Sequence, residues 1–143
     1  MDTAFSWLRR AYWNMRTAMD EELARYELTA AHLDVLTALW KEDGLEQRVL
    51  QNRLGVTAAA LTSNIDKLVA HHYVQRQLNT EDARVKQIFL TERGKAIREQ
   101  LGSAAWEFDS RLLKDFTPGE AALLKEWLQR MVSNLEEKNT SNS

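Results

Sequence analysis

Cysteine is absent from the sequence, and helix-interrupting residues are scarce, with one proline and five glycines among 143 residues. The lack of cysteine excludes disulfide frameworks, thiolate metal sites and cysteine-based redox sensing. Few prolines and glycines beside abundant Ala, Leu, Glu, Lys and Arg predict a mainly helical protein.

Long apolar runs are also missing. No segment approaches the roughly 20 apolar residues of a membrane span, and the N-terminal residues lack the basic start and apolar stretch of a signal peptide. A chain that is 44% hydrophobic is long enough for one compact domain and too short for two of ordinary size. We therefore expect a single cytoplasmic domain over residues 1–143, with no membrane partner.

Residue patterns that support catalysis or metal binding are not found. The three histidines are His32, His71 and His72, and the adjacent pair would point about 100° apart on a helix. No His-x-x-x-His spacing accompanies them, and no segment resembles a nucleophile elbow, a phosphate loop or a zinc-protease motif. The sequence predicts no catalytic residue, no metal and no cofactor.

The net charge of −2 conceals a basic middle segment. Residues 47–98 carry nine Lys or Arg against four Asp or Glu, whereas the rest of the chain carries ten against seventeen. A local positive field favours an anionic partner at this segment. The count alone does not distinguish such a partner from ordinary unevenness of surface charge.

Apolar periodicity and turn signals predict six helices and one hairpin. The helices begin near residues 5, 29, 46, 57, 91 and 117, and the last ends in a frayed tail over 136–143. Thr29, Thr57 and Thr91 can cap three of them, and Thr117 begins a capping box. Two stretches rich in Val, Ile, Tyr and Phe, 73–78 and 85–90, flank a polar turn and predict a β-hairpin.

The helix after Thr57 has two distinct faces. At 100° per residue its inward face consists of Ala58, Leu61, Ile65, Leu68 and Val69. Its outward face is small and mostly polar, with Ala59, Ala60, Ser63 and Lys67 at its centre and Thr62 and Asp66 at the margin. Such a face suits a DNA major groove, although solvated helices often have one too. The order of helix, tight turn and helix favours the DNA interpretation.

A set of residues between Leu28 and Ile97 follows the pattern of a known protein family: Leu28-Thr29, Val35-Leu36, Leu50, Leu54, Leu61-Thr62, Asp66-Lys67-Leu68, Val74, Arg76, Asp82-x-Arg84, Leu90-Thr91 and Gly94. Through these positions the run from Leu28 to Ile97 resembles the MarR family of bacterial winged-helix regulators. Three places depart from the family pattern: the His71-His72-Tyr73 run, Leu78 in the hairpin, and Ser63, where several relatives carry arginine. The last departure affects the operator sequence more than the fold.

The resemblance implies a mainly α fold with a small β-hairpin wing (α+β). Residues 28–97 would form a winged helix-turn-helix region, 1–27 and 98–138 dimerisation helices, and 139–143 a flexible tail. It also implies a homodimer whose two winged helices each bind half of a palindromic operator in double-stranded DNA.

In such proteins the hairpin wing reaches the minor groove. By resemblance, Arg84 inserts there and Asp82 orients it, which suits the negative potential of a narrow minor groove. The alternative is a surface ion pair that stabilises the hairpin by about 0 to 1 kcal/mol. The residues that we expect to contact DNA are Thr57, Ala59, Ala60, Thr62, Ser63, Lys67, Arg76, Asp82, Arg84 and Lys86.

Many relatives release DNA when a small phenolic or carboxylate compound binds. Arg9, Tyr12, Trp13 and Arg16 on the first helix could hold such an aromatic effector by stacking and charge-assisted hydrogen bonds. No motif fixes this site, and basic residues on an amphipathic helix are usually solvated or paired.

The resemblance thus implies a sequence-specific transcriptional regulator, a repressor released by an effector, and not an enzyme. The alternative is a winged-helix module whose basic face binds an acidic protein.

Overall fold

The computed structural model describes residues 2–140, and their side chains as far as residue 137. The chain divides into two compact units, Met1–Ala104 and Ala105–Ser143. Six α-helices and three short strands follow one another within the described residues, and a 3-10 turn over Ala24–Tyr26 follows the first helix. No helix between residues 2 and 140 has the length and hydropathy of a membrane span.

The elements occur in the order α1 (Ala4–Leu23), α2 (Ala30–Lys41), β1 (Leu45–Glu46), α3 (Gln47–Leu54), α4 (Ala58–Ala70), β2 (Val74–Leu78), β3 (Lys86–Leu90), α5 (Glu92–Leu112) and α6 (Pro118–Thr140). The predicted mainly α fold with a small hairpin is confirmed. Each hairpin strand is one residue shorter than predicted, because Tyr73 and Val85 lie outside the paired segment.

The sheet has three antiparallel strands in the order β1–β3–β2. The hairpin register places Arg76 opposite Ile88 and Leu78 opposite Lys86. Strand β1 was not predicted, and it pairs Glu46 with Gln87 on the other edge of β3. Two residues are too few for an alternation pattern to be visible in the sequence. The short helix predicted to begin at residue 46 therefore begins at Gln47 instead.

The core of the first unit lies between α2, α3, α4 and the sheet. Leu36, Leu50, Leu61, Ile65 and Ile88 are completely buried there. Truncating one such side chain to alanine typically costs about 2 to 5 kcal/mol. Packing on this core therefore sets the orientation of α4, and it stabilises the helix more than helix propensity does.

The inward face predicted for α4 is correct at Leu61, Ile65 and Leu68, and Val69 is half-buried. The prediction was wrong at Ala58, which is exposed. Ala58 occupies the first helical position, and Val56, before the cap, packs against the core in its place.

Side-chain caps define the helix starts. Thr57 Oγ1 accepts the backbone N–H of Ala60 at 3.1 Å, and Thr91 Oγ1 accepts that of Gly94 at 3.0 Å. Gly55, with φ of +64°, ends α3 in the left-handed conformation that glycine adopts without strain. The caps predicted at Thr57 and Thr91 are confirmed.

Gly94 allows α5 to begin close to the base of the hairpin. A Cβ atom at this position would overlap the carbonyl oxygen of Tyr73. The Gly94 carbonyl also accepts a hydrogen bond from the Trp40 indole at 2.9 Å. Helix α2, the hairpin base and the start of α5 are thereby held together.

In the second unit, α6 begins with the predicted capping box. Thr117 Oγ1 accepts the N–H of Glu120 at 3.2 Å, and the Glu120 carboxylate accepts the N–H of Thr117 at 2.8 Å. The prediction of a frayed tail from residue 136 was wrong for residues 136–140, because α6 continues to Thr140. Strong helix formers at positions 135–138 account for the longer helix. The remaining tail residues, 141–143, lie outside the described part of the chain.

Candidate nucleic-acid interface

The outward side of α4 is a strip of small exposed residues. Ala59, Ala60, Thr62, Ser63 and Lys67 are all exposed. A groove can approach the backbone closely here, because most of these side chains have no more than three heavy atoms. Hydroxyl groups and one ammonium group are then within reach of base edges or phosphates.

The Thr62 side chain also contacts the neighbouring helix α3. The Gln47 amide at the start of α3 donates a 3.0 Å hydrogen bond from Nε2 to Thr62 Oγ1. Gln47 was missed by the sequence reasoning, because a glutamine fifteen residues away carries no local signal of this contact. The bond orients the Thr62 hydroxyl on the outward strip.

Arg76 connects the hairpin to α4. Its Nη2 donates to the Thr62 carbonyl at 3.3 Å and forms an ion pair with the Asp66 carboxylate. The contacts of this predicted DNA-binding arginine are thus within the chain, where they hold β2 against α4. Asp66, placed only at the margin of the helix face in the sequence, is its partner.

The hairpin ends in an arginine that is paired but exposed. Arg84 Nε lies 3.1 Å from Asp82 Oδ1, and Nη2 lies 3.3 Å from Asp82 Oδ2. The backbone N–H of Arg84 also donates to Oδ1 at 3.0 Å. The Arg84 side chain remains 91% exposed. The guanidinium is therefore held by a bidentate contact while its outer edge remains open to a partner.

The contact with Arg84 also favours the charged form of Asp82. The side-chain hydrogen bond from Arg84, and then the backbone N–H of Arg84, lower the pKa of the Asp82 carboxyl below its usual value. The carboxylate therefore stays ionised, and able to hold the arginine, to a lower pH than an ordinary aspartate would.

Further cations lie around the wing, defined as β2, β3 and the residues between them. Lys86 is exposed at the start of β3. It borders a surface groove together with the start of α3, and this groove is lined by Glu46, Gln47, Arg48, Gln51, Asp82, Arg84, Val85 and Lys86. Arg48 was not among the predicted contacts, and its only signal in the sequence is the basic count of residues 47–98.

The predicted effector residues form two pairs on α1, and the rings of Tyr12 and Trp13 join the pairs in an edge-to-face contact with 5.7 Å between their centroids. Arg9 and Trp13 border a surface depression with Trp7 and Arg10. Arg16 donates to Asp34 on α2 at 2.8 Å, and its guanidinium lies 5.9 Å from the ring centroid of Tyr12. The two members of each pair are four residues apart in the sequence. Residues at this spacing are neighbours on the surface of a helix, which explains why each pair lies together.

Within residues 2–137 no group of three or more His, Asp or Glu side chains could hold a metal ion. His32 is buried at the start of α2, where its Nδ1 bonds to the backbone N–H of Thr29.

Comparison with known proteins links this arrangement to a family. Residues 28–86 match the model of the MarR family. The chain is 32% identical to the HTH-type transcriptional regulator SarZ of Staphylococcus saprophyticus over 117 residues, which cover 82% of this chain and 79% of SarZ. It is 34% identical to the HTH-type transcriptional regulator TtmR of Methylorubrum extorquens over 79 residues. That match covers 55% of this chain and only 40% of TtmR.

A solved structure gives the same assignment. The fold is similar to that of a mutant MarR from E. coli complexed with operator DNA, with a TM-score of 0.79 and 28% identity. The similarity covers 88% of this chain and 91% of that one. Together with the family match and the similarity to SarZ, it shows that this chain belongs to the MarR family, whose members are transcriptional regulators and not enzymes.

Proposed function

We propose that this protein is a sequence-specific regulator of transcription that binds double-stranded DNA in the cytoplasm. Helix α4 would enter the major groove, and the wing would reach the adjacent minor groove. The observation that carries the proposal is Arg84, which is 91% exposed and held by Asp82 at 3.1 Å. The operator DNA in the structure of the similar MarR mutant supports it.

The pair with Asp82 prepares Arg84 for a groove. A free arginine side chain carries about 2 kcal/mol of rotamer entropy, part of which would be lost on binding. The contact with Asp82 restricts these rotamers beforehand, so less ordering remains when DNA arrives. A narrow minor groove concentrates negative potential and therefore favours a guanidinium presented in this way.

The exposed strip of α4 supplies the major-groove contacts in this proposal. Thr62 and Ser63 carry hydroxyl groups that can donate to or accept from base edges, and Lys67 can reach a phosphate. Arg76 would act by holding α4 and the wing in a fixed relation, while Lys86 and Arg48 would add attraction to phosphates.

We propose that the protein acts as a homodimer. Large apolar side chains are exposed on α1, where Phe5 is 72% and Trp13 is 62% exposed, and on α6, where Trp127 is 48% and Leu135 is 70% exposed. Apolar surface of this extent marks an interaction site. A second copy with two-fold symmetry would cover these faces over an interface of about 2,000 Å² or more, and it would present two wings to a palindromic operator.

We further propose that the protein is a repressor released by a small aromatic anion. Arg9 and Trp13, which border one depression on α1, are the residues that we favour for this ligand. Arg16 is paired with Asp34, so part of its hydrogen-bonding capacity is already used within the chain.

The sign of regulation is tested with a reporter gene under the operator. The reporter should become more active when the regulator gene is deleted, and loss of reporter activity would show an activator.

Binding to DNA is tested by selecting fragments from a random duplex library and measuring their affinity against salt concentration. The proposal expects one enriched palindrome and affinity that falls steeply as salt rises. A folded protein that enriches no sequence, and that binds duplexes only weakly at low salt, would contradict it. Capture of an acidic protein by the basic face under those conditions would favour the protein-interaction alternative.

A further inference from the structure

The turn of the wing, residues 79–85, contains two successive Asx turns. In an Asx turn, the side-chain oxygen of Asn or Asp accepts a backbone N–H two residues further on. Asn79 Oδ1 accepts the N–H of Glu81 at 2.8 Å and also that of Asp82 at 3.2 Å. Asp82 Oδ1 then accepts the N–H of Arg84 at 3.0 Å.

Asp82 belongs to both turns. Its backbone N–H is fixed by Asn79, and its carboxylate holds the Arg84 guanidinium through Nε and Nη2. The backbone closes around this arrangement, since the N–H of Asn79 donates to the Val85 carbonyl at 2.9 Å. The position of the Arg84 side chain therefore depends on Asn79 through Asp82.

The first turn is itself connected to the sheet. Asn79 Nδ2 donates to Gln87 Oε1 at 3.4 Å, and Gln87 Nε2 donates to the carbonyl oxygen of Gly44 at 3.2 Å. Gln87 is half-buried and pairs with Glu46 in the sheet register. A chain of hydrogen bonds thus runs from the residue before β1 to the exposed arginine.

We propose that Asn79 and Gln87 are positioning residues for DNA binding, which hold Arg84 through Asp82 in the orientation that the minor groove accepts. This inference rests on the proposed function. Neither side chain carries a charge, so their contribution would be to preorganise Arg84 and not to attract phosphates.

The consequence of losing Asn79 follows from the position of its partners. The amide groups of Glu81 and Asp82 lie in an exposed turn, so water can replace the lost acceptor and the fold should be little affected. The loosened turn would leave Arg84 to be ordered when DNA binds. Ordering this side chain should cost about 3- to 10-fold in affinity for each wing, so a dimer with two wings should bind its operator about 10- to 100-fold more weakly.

The test measures operator affinity for Asn79→Ala, Arg84→Ala and the double variant, as a double-mutant cycle. Thr80→Ala is the matched control, since Thr80 is an exposed residue of the same turn. We expect Asn79→Ala, present in both subunits, to weaken binding about 10- to 100-fold with an unchanged salt slope, because no cation is removed. In the Arg84→Ala background it should have no further effect. Gln87→Met should act in the same direction and less strongly.

A second measurement uses the free dimer without DNA. Nuclear magnetic resonance reports the hydrogen exchange of the Arg84 amide and the titration of the Asp82 carboxyl. In Asn79→Ala the Arg84 amide should exchange faster, and the pKa of Asp82 should rise towards its ordinary value. Thr80→Ala should change neither.

The two measurements separate the possible failures. If the wild type binds no DNA, the proposed function is wrong, and the resonance data still decide whether Asn79 positions Arg84. Equal weakening by Asn79→Ala with and without Arg84 would overturn the inference. Unchanged Arg84 exchange and unchanged Asp82 titration would overturn it too.

Discussion

His32 Nδ1 accepts the backbone N–H of Thr29 at 2.9 Å and lies 3.1 Å from Thr29 Oγ1. The Thr29 hydroxyl in turn accepts the N–H of His32 at 3.4 Å, so the two residues form a reciprocal cap at the start of α2. An imidazole that accepts at Nδ1 must be unprotonated there. The buried His32 ring is therefore neutral in the intact cap.

The surroundings of His32 also favour the neutral form. Burial comes first, followed by the electrostatic effects of Lys67 on α4 and of His71 at its end, and together they lower the pKa of His32. The carboxylate of Asp20 on α1 acts in the opposite direction. The net effect is a folded-state pKa below the ordinary value of about 6.5.

We predict that His32 makes the protein less stable in mild acid. Between the folded-state pKa and about 6.5, the unfolded chain binds a proton that the folded chain does not. The contribution of His32 to the free energy of unfolding is thus fully present above pH of about 6.5 and falls as the pH drops through this window. Urea unfolding at a series of pH values should show a shallower dependence for His32→Gln than for the wild type. An unchanged dependence in His32→Gln would contradict the prediction.

A second prediction concerns the approach of α5 to the hairpin base. Gly94→Ala should destabilise the fold by more than about 2 kcal/mol, because its Cβ overlaps the Tyr73 carbonyl and the backbone must move. Gly102→Ala in the same helix is the matched control, since a Cβ there meets no atom within 4 Å. The control should be neutral or more stable by about 0.5 to 1 kcal/mol. Equal thermal stability of the two variants would show that the close approach is not needed.

The exposed face of α6 provides a third prediction. Trp127→Glu should shift the protein from dimer to monomer at micromolar concentration, because it places a charge in an apolar interface. Gln129→Glu, two residues away and also exposed, should leave the dimer intact. Analytical ultracentrifugation distinguishes the two states. A wild type that is a stable folded monomer at this concentration would contradict the dimer, and the palindromic operator with it.

The fourth prediction tests the strip on α4. Ser63→Glu should weaken operator binding about tenfold or more, because the new carboxylate faces phosphates and base acceptors. Stability should change by no more than about 0.5 kcal/mol, since the side chain is exposed. Thr37→Glu on α2 adds the same charge at another exposed position and measures the long-range effect alone. Equal affinities of these two variants would show that α4 does not touch DNA at Ser63.

Local patterns were enough to predict the helices and the wing. The caps at Thr57 and Thr91 and the buried stripe of Leu61, Ile65 and Leu68 depend on residues within one or two turns. The Asp82–Arg84 pair was visible for the same reason, since only one residue lies between its members.

Contacts between distant segments could not be predicted in this way. The Gln47–Thr62 bond and the Arg76–Asp66 pair join segments that only the folded core brings together. Strand β1 exists because β3 offers a free edge to Leu45 and Glu46, and not because of any local preference. The hydrogen bonds of Asn79 in the turn had a local signal, an asparagine three residues before an aspartate in a polar turn, which the sequence reasoning did not use.

The wing is proposed to place Arg84 against DNA. The most direct test is to measure how the operator affinity of the Arg84→Ala variant depends on salt concentration. Each phosphate contact contributes about 0.9 to the slope of log affinity against log salt, and a dimer would lose two such contacts. The slope should therefore become shallower by about two, binding should weaken at physiological salt, and thermal stability and dimerisation should stay unchanged. Asp82→Ala should weaken binding less, because it frees the arginine without removing its charge. An unchanged slope together with a lower melting temperature in Arg84→Ala would contradict the account and leave the pair as a structural contact of the hairpin.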